Sequence, residues 1–432
     1  MKAKQMVMTD IFTDGVLGPD IEMAGPVQDK GRIVFNTAPG CWGPMLTPRL
    51  KGGHEVCRPV RVEGAHPGDA VAITVEAVRI TSEATASGSD DALEGRYDED
   101  PFVQAKCPNC GTVHPETVID GIGEHAIRCK ICGAEANPFR FREGYTMAFD
   151  VQKQIGITVG AEAAEEIAAN GRYYMRTPEN SIQNPVVTLA GATIPGVVAR
   201  TRPFIGQLGT VPGRPMPDSH NAGDFGQFLV GAHHPYGQTE ETLKDKTDGH
   251  MDINKVREGS IVLCPVKTEG AGIYAGDVHA MQGEGEIAGH TTDVSAVVVL
   301  KVEVIHGLKL DGPVILPVKE DIPYLAKPLS REEKYLAARE AERWNVKNIE
   351  ESYPLSFVGT GADLNAAVDN GVERAAEVCG ISQAEVLNRV TITGAVEIGR
   401  TPGVCTVTFR VPKEILERKG LYSLVERQYG TW

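Results

Sequence analysis

Two pairs of cysteines place the strongest constraint on how part of this chain can fold. Cys107 and Cys110 form one pair, Cys129 and Cys132 form the other, and a glycine follows each pair. Two residues between the thiols let both sulfurs reach one ion, and the glycine supplies the open backbone that such a turn needs. Four thiolates complete the coordination shell of Zn²⁺, so we predict a structural zinc ribbon without catalytic activity. The alternatives are two unrelated pairs of thiols or a redox dithiol.

The rest of the chain is rich in residues that form turns. Glycine (48) and proline (27) are abundant among the 432 residues, which favours short strands over long helices. Ala70–Ile80 and residues 293–304 are predicted strands, because both are dense in β-branched and apolar residues. The last third differs, since Ser330 and Ser382 are each followed three residues later by Glu, which is typical of a capping box at a helix start. Residues 362–378 have helical apolar spacing.

These patterns predict an α+β fold that is mainly β. We expect a β-rich, sandwich- or barrel-like N-terminal two-thirds, a smaller α/β C-terminal region and an inserted zinc ribbon. The predicted regions are residues 1–100 (β-rich), 101–143 (ribbon insertion), 144–320 (β-rich, with the polar loop described below) and 321–432 (α/β).

Charge and hydropathy exclude several kinds of partner. The formal net charge of −15 argues against nucleic acid, because such binding relies on Lys and Arg that neutralise phosphates. No stretch approaches the roughly 18 apolar residues that span a bilayer, and residues 1–10 lack the apolar run of a signal peptide. We expect a cytoplasmic homo-oligomer with no membrane partner. The cysteines outside the ribbon are predicted to be buried free thiols: Cys41, Cys57, Cys264, Cys379 and Cys405.

The densest group of chemically active side chains lies in residues 275–293. This segment contains Asp277, His279, Gln282, Glu284, Glu286, His290 and Asp293. Its glycines disfavour a helix, so we predict a loop held between two apolar strands. Asp277 and His279 are two positions apart, so an extended chain directs both to one side, where they can bind a metal or orient each other. Glu284 and Glu286 share a side too, and close like charges raise one pKa, which suits a general base or acid. A solvated turn is the other interpretation.

Two further segments place acids beside imidazoles. His250 and Asp252 have the same spacing as the pair above, and residues 217–224 end at Asp224. We predict Asp252 as a metal ligand, and His250 and Asp224 as substrate-binding residues. His54 has a weaker case because it lies in a turn.

The segment Gly276-Asp-Val-His-Ala-Met-Gln-Gly-Glu-Gly-Glu286 resembles the signature loop of the acetamidase/formamidase family, which reads Gly-Asp-x-His and then Gln-Gly-acid-Gly-Glu. Residues 60–69, 206–212 and 249–252 are similar to other blocks of that family and occur in its order. The resemblance covers roughly residues 30–410. It implies hydrolysis of formamide, acetamide or related amides to the acid and ammonia, on a β-rich fold with an α/β C-terminal part.

Three departures from the family pattern concern the substrate. His250 stands where Asn is usual, Asp293 stands where Glu is common, and the cysteine insertion is absent from shorter members. Larger or cyclic amides, such as γ-lactams, are therefore additional substrates to consider.

The sequence favours an attacking water that a metal activates. It contains no Gly-x-Ser-x-Gly elbow, and no cysteine lies in the polar loops, so an acyl-enzyme mechanism has little support. The expected ligands of a second divalent metal are Asp252, Asp277 and His279, with His250 as a further candidate. The expected catalytic residues, with Glu286 first and Glu284 second as general base, are Glu286, Glu284, His279 and Gln282. The alternatives are a metal-free mechanism and a non-catalytic module that binds a metal or a sugar.

Overall fold

A computed structural model describes residues 2–40, 47–183, 190–223 and 229–430 of the chain. Strands dominate up to residue 320, and helices are frequent only beyond it. The strands before residue 150 are β1 (Lys4–Thr9), β2 (Val16–Leu17), β3 (Ala24–Thr37), β4 (Val60–Val62), β5 (Ala70–Ile80), β6 (Ala84–Ala86), β7 (Ser89–Ala92), β8 (Thr117–Ile119), β9 (Ile127–Cys129), β10 (Phe139–Arg142) and β11 (Tyr145–Phe149). Those that follow, up to residue 320, are β12 (Ile155–Thr158), β13 (Val198–Arg200), β14 (Phe204–Thr210), β15 (Met216–Pro217), β16 (Ile261–Pro265), β17 (Ile273–His279), β18 (Asp293–Val294), β19 (Ala296–Ile305) and β20 (Val314–Leu316).

Most of these strands join one mixed sheet. Strand β19 pairs in antiparallel fashion with β3 on one side and β5 on the other. Strand β5 also pairs with β16, and β14 pairs with β17, whereas β1 and β4 run parallel to β3. The predicted strands at Ala70–Ile80 and 293–304 are confirmed, the second with an interruption between β18 and β19.

An apolar core holds this sheet together. Its fully buried members come from several strands and include Phe35, Ile73, Val262, Val278 and Leu300. Residues in β19 alternate between buried and partly buried, as expected for a strand with one face on the core. The mainly β, α+β fold class is confirmed.

The cysteine-containing insertion has two short strand pairs of its own. Strands β7 and β10 pair at its base, and β8 and β9 form a hairpin farther out. The thiols come together: Cys107 Sγ lies 3.5 Å from Cys132 Sγ, and Cys110 Sγ lies 3.8 Å from Cys129 Sγ. All four sulfurs lie within 4.8 Å of one another, so they can hold one metal ion. That this ion is zinc stays a prediction. The thiols of Cys57, Cys264, Cys379 and Cys405 are buried and free, and Cys41 lies outside the described residues.

The C-terminal part packs helices against a second core. Its elements are α3 (Arg331–Arg343), β21 (Ser352–Thr360), α4 (Leu364–Cys379), α5 (Gln383–Thr393), β22 (Ala395–Arg400), β23 (Val404–Pro412), α6 (Lys413–Arg418) and α7 (Tyr422–Tyr429). The earlier helices are α1 (Ala161–Ala169) and α2 (Gly171–Tyr174). Strand β23 pairs with β21 and β22, and stacked Phe357 and Phe409 lie in the core beneath α4. The division of the chain into four regions stays a prediction.

Polar contacts set the helix ends and join this part to the larger sheet. Ser330 caps α3 in a capping box, as predicted, and Gly380 ends α4 in the left-handed conformation at φ 68°. Buried Arg374 of α4 donates a hydrogen bond of 2.5 Å to the buried carboxylate of Asp248, in the loop before β16. None of the described helices is long and apolar enough to cross a membrane.

Candidate active site

Strand β14 aligns the segments that carry the predicted site. On one side it pairs with β17, so that Phe204 lies opposite His279 and Gln207 lies opposite Gly276. On the other side a single bridge joins Gln207 to His250. The Asp-x-His pair is therefore at the end of a strand and not in a loop, because its backbone is paired with β14 on one edge and β18 on the other. The loop begins only after His279.

Asp277 lies at the centre of a buried group of imidazoles and carboxylates. His279 Nε2 is 3.0 Å from Asp277 Oδ1, and His54 Nε2 is 3.7 Å from Asp277 Oδ2. His250 Nε2 is 3.8 Å from Asp277 Oδ2 and 3.0 Å from Asp252 Oδ2. None of these five side chains is more than 7% exposed. The structure therefore brings Asp252, Asp277, His279 and His250 together, as the sequence led us to expect, and adds His54.

Hydrogen bonds on the outer side of two imidazoles fix which nitrogen faces the carboxylates. His250 Nδ1 donates to the carbonyl oxygen of Ser219 at 2.9 Å, and His279 Nδ1 donates to Gln282 Oε1 at 2.9 Å. Gln282 in turn donates from Nε2 to the carbonyl oxygen of Asp252 at 2.8 Å. Both Nε2 atoms thus face carboxylate oxygens, and such a group requires a positive charge, either protons on the imidazoles or a metal ion.

Two overlapping groups have the composition and spacing of a metal site. His54, His250 and Asp277 form one, Asp252, Asp277 and His279 form the other, and the ligand atoms within each lie within 4.8 Å of one another. Asp252 Oδ1, both carboxylate oxygens of Asp277 and His279 Nε2 have no hydrogen bond of acceptable geometry within the described part of the chain. Short distances without hydrogen-bond geometry are expected when atoms converge on a shared ion. The residues present therefore fit a divalent cation.

The backbone is strained where the site acids are attached. Asp252, Asp277 and Glu286 have φ of 49°, 52° and 40°, in the left-handed region that residues with a side chain rarely adopt. Gly206 on β14 makes room for them: a Cβ there would lie 2.5 Å from Asp252 Oδ1 and 2.9 Å from Asp277 Oδ2. A glycine is required at this position by close approach and not by its own φ.

Burial and charge move the pKa values of the site in opposite directions. Burial, and then the carboxylate of Asp252, raise the pKa of Glu286 well above its usual value. Burial also raises the pKa of Asp293 to about 7, although the nearby imidazole of His279 opposes this. Although burial opposes its ionisation, Asp277 has a pKa well below the usual range because His279 and His54 stabilise its carboxylate. The site thus places the firmly ionised carboxylate of Asp277 beside Glu286 and Asp293, which hold a proton more readily.

A comparison with models of known protein families shows to which family this chain belongs. The model described as the "Acetamidase/Formamidase family" matches residues 41–246 and 237–418. The chain belongs to the acetamidase/formamidase family. Membership supports a hydrolase that acts on amides.

Solved structures with a similar fold include proteins named acetamidase. A predicted acetamidase/formamidase from Thermoanaerobacter tengcongensis has 16% sequence identity and a TM-score of 0.53, covering 96% of this chain and 98% of that chain. Acetamidase from Bacillus halodurans has 14% identity and a TM-score of 0.52, covering 96% of this chain and 99% of that one. Acetamidase from Yersinia enterocolitica has 15% identity and a TM-score of 0.50, covering 96% and 94%. At these identities the likeness establishes the fold alone. No functionally curated protein matches the chain.

The other site residues predicted for this member of the acetamidase/formamidase family lie at different distances from the buried cluster. Glu286 is buried beside the metal-site groups, whereas Glu284 is exposed and has no hydrogen bond or ion pair among the described residues. Asp293 Oδ1 lies 3.3 Å from His279 Nε2, so it borders the site. Asp224 lies outside the described residues.

Two residues of the site have a weak signal or none in the sequence, namely His54 and Arg400. His54 was disfavoured because it lies in a turn, yet that turn places its ring 4.7 Å from the ring of His250. Arg400, at the end of β22, brings Nε within 3.3 Å of Asp252 Oδ2. Arg400 comes from the C-terminal part of the chain, 148 positions after Asp252 (residues 252 and 400). No local sequence pattern marks it as a site residue.

Proposed function

We propose that this chain hydrolyses small carboxamides to the carboxylic acid and ammonia, with a divalent cation in the buried cluster and Glu286 as the general base. The observation that carries the proposal is the convergence of Asp252, Asp277 and His279 on one point, with buried oxygen and nitrogen atoms that have no other acceptable partner. Family membership supplies the reaction class, since it supports amide hydrolysis.

The donor set supports a transition metal in preference to Ca²⁺. Imidazole nitrogens beside carboxylates suit Zn²⁺ or a similar ion, whereas Ca²⁺ prefers oxygen alone. Asp277 belongs to both metal-site groups, so it is the ligand that we expect to matter most. A cation bound here would lower the pKa of a water molecule towards neutrality and polarise the amide carbonyl.

Glu286 is the side chain best placed to move protons. It is buried, its raised pKa makes its carboxylate a stronger proton acceptor than that of an ordinary glutamate, and its Oε2 has no hydrogen-bond partner within the described residues. It would take a proton from the attacking water and pass it to the departing nitrogen, which must leave as ammonia. The exposure of Glu284 favours Glu286 over it for this role.

The site composition also bears on the substrate. His250 occupies the position where the family pattern has Asn, and its Nε2 faces the acids of the cluster. We therefore place it with the metal ligands rather than with substrate-binding residues. Formamide and acetamide are the expected substrates, and γ-lactams are the cyclic amides to test beside them.

Ammonia release from a panel of linear amides, and ring opening of γ-lactams to their γ-amino acids, test the proposal when the metal content of the same sample is measured. Glu286→Gln is expected to reduce kcat by about 10²–10⁴-fold while the protein stays folded, because general base catalysis contributes that much. Glu284→Gln is the comparison that tells the two candidate bases apart. An undiminished kcat in Glu286→Gln would remove that residue from the mechanism.

Two parts of the proposal concern the whole molecule. We expect one Zn²⁺ per chain in the ribbon, because four thiolates favour that ion, and metal analysis of the purified protein measures it. Assembly into a homo-oligomer stays a prediction, which light scattering after size-exclusion chromatography would test.

A further inference from the structure

The excursion that carries the ribbon, residues 87–144, reaches back to the candidate active site through two buried carboxylates. Asp100 is 1% exposed and pairs with His220, which is fully buried. Asp90, on β7, pairs with His290 in the loop after β17. Both histidines belong to the larger β-rich part, so the excursion is attached beside the site by two ion pairs in addition to its backbone.

Asp100 begins a hydrogen-bonded relay that runs inward. His220 Nε2 lies 2.6 Å from Asp100 Oδ2, and His220 Nδ1 lies 2.9 Å from Ser219 Oγ. The Ser219 hydroxyl donates to the carbonyl oxygen of Gly52 at 2.9 Å, so it is available to accept from His220. Burial opposes ionisation of Asp100, but His220 and a backbone N–H hold its pKa below the usual value. The relay therefore ends on a stable negative charge.

The inner end of the relay is a metal-site histidine. The carbonyl oxygen of Ser219 accepts the hydrogen bond from His250 Nδ1, at 2.9 Å. This bond sets the ring plane of His250 and leaves Nε2 facing Asp252 and Asp277. Partners that hold the outer nitrogen of a metal-binding imidazole in this way commonly change metal affinity or activity by about 10–100-fold when they are removed.

We propose that Asp100 is a positioning residue, which orients His250 from a distance through this relay. The inference rests on the proposed function in one respect, namely that the cluster holds a cation. Residues 218–220 form one short 3-10 turn, so a shift of the His220 ring also moves the carbonyl of Ser219. The ribbon-bearing excursion thereby contributes to the geometry of the metal centre through the relay, without a hydrogen bond or ion pair to the cluster among the described contacts.

Asp100→Ala removes the anchor, and Asp100→Asn keeps an acceptor oxygen for His220. Asp90→Asn is the matched control, because it weakens the other attachment of the same excursion without touching the relay. Co²⁺ is the probe: thiolate ligands give it an intense charge-transfer band that imidazole and carboxylate ligands lack, so occupancy of the ribbon and of the cluster can be read separately.

We expect Asp100→Ala to weaken Co²⁺ binding at the cluster by about 10–100-fold with unchanged occupancy of the ribbon, and Asp100→Asn to restore most of the loss. Equal weakening in Asp90→Asn would show general loosening of the excursion and overturn the inference, as would wild-type affinity in Asp100→Ala. If Asp100→Ala does not fold, Ser219→Ala decides, since it interrupts the relay and leaves the buried ion pair intact. Unchanged affinity in that variant overturns the inference.

The amide panel separates this inference from the proposed function. If Asp100→Ala binds Co²⁺ more weakly but the wild-type chain hydrolyses no amide, the role of the relay is supported and the proposed amidase activity is refuted. If the wild-type chain hydrolyses amides but Asp100→Ala and Ser219→Ala bind Co²⁺ with unchanged affinity, the amidase activity is supported and the relay is refuted. A wild-type chain that binds no Co²⁺ outside the ribbon would overturn the relay and the metal part of the proposal together.

Discussion

A single methyl group added at Gly206 should displace the carboxylates of the candidate active site and so reduce its activity. Gly206 lies on β14 under the two central acids, and its Cβ in Gly206→Ala would lie 2.5 Å from Asp252 Oδ1, 2.7 Å from the carbonyl oxygen of Asp277 and 2.9 Å from Asp277 Oδ2. The carbonyl oxygen belongs to β17, which is paired along β14 and cannot move freely. The strain must therefore fall largely on the two carboxylates.

The size of the effect follows from these distances. Non-bonded heavy atoms are comfortable at about 3.5 Å, so the contacts must lengthen by roughly 0.5–1 Å. A displacement of about 1 Å at a reacting centre costs about 10²-fold in rate. Overpacking of a well-filled interior costs about 1–3 kcal/mol in the free energy of unfolding. We expect Gly206→Ala to lose about 10²-fold in kcat and to bind Co²⁺ more weakly, with only moderate destabilisation.

The measurements are ammonia release, Co²⁺ titration and urea unfolding on the same preparation. Gly156→Ala is the control, because its added Cβ crowds the side chains of Met147 and Phe149 on the neighbouring strand and not the acids. It should lose stability while it retains kcat. A Gly206→Ala protein with wild-type kcat and wild-type Co²⁺ affinity would refute the reasoning that the two carboxylates form the reactive centre.

Three further outcomes are expected. Cys107→Ser should lose the metal of the ribbon, while metal analysis still finds an ion in the buried cluster; loss of both would show that the two sites are not independent. Arg374→Met should cost up to about 3–5 kcal/mol in urea unfolding because it removes the hydrogen-bonded guanidinium from the buried carboxylate of Asp248 and leaves that carboxylate with Lys246, whereas Arg389→Met, at a more exposed ion pair, should cost less than about 1 kcal/mol. Because His220 helps to hold the pKa of Asp100 below its unfolded value, this pair stabilises the fold above about pH 4, and that stability is lost as the pH falls through the lower folded value. Asp100→Asn should therefore flatten the acid limb of the stability curve, and an unchanged limb would contradict this assignment.

Local patterns predicted the local structure of this chain well. Apolar runs located β5 and β19, the Ser330 capping box located the start of α3, and the apolar spacing of residues 362–378 located α4. Each of these signals acts between residues close in sequence, through side-chain spacing or a hydrogen bond over three or four positions. The cysteine pairs succeeded for the same reason, since a ribbon brings together residues within one short segment.

The site was predictable where short motifs, together with the family resemblance, mark it. Asp277 and His279 were found because two positions on one extended segment suffice to place them together. His54, Arg400 and Asp100 reach the same region from segments far apart in sequence, and no short sequence pattern encodes that arrangement. The Asp-x-His pair was also assigned to a loop, because its glycine obscured a strand that pairing with β14 stabilises.

The strained acids give a reason to regard this cluster as functional that is independent of any family. At Asp252, Asp277 and Glu286 the backbone lies in a region where glycine would be the least costly residue, yet each position carries a carboxylate. Burying those carboxylates adds a second cost, because at least one oxygen of each has no hydrogen-bond partner within the described residues. Neither cost is recovered by packing or by secondary structure. Residues that carry both backbone strain and a buried charge are expected where the chemistry of the side chain is needed for function. A bound cation would directly offset the cost of burying the carboxylates.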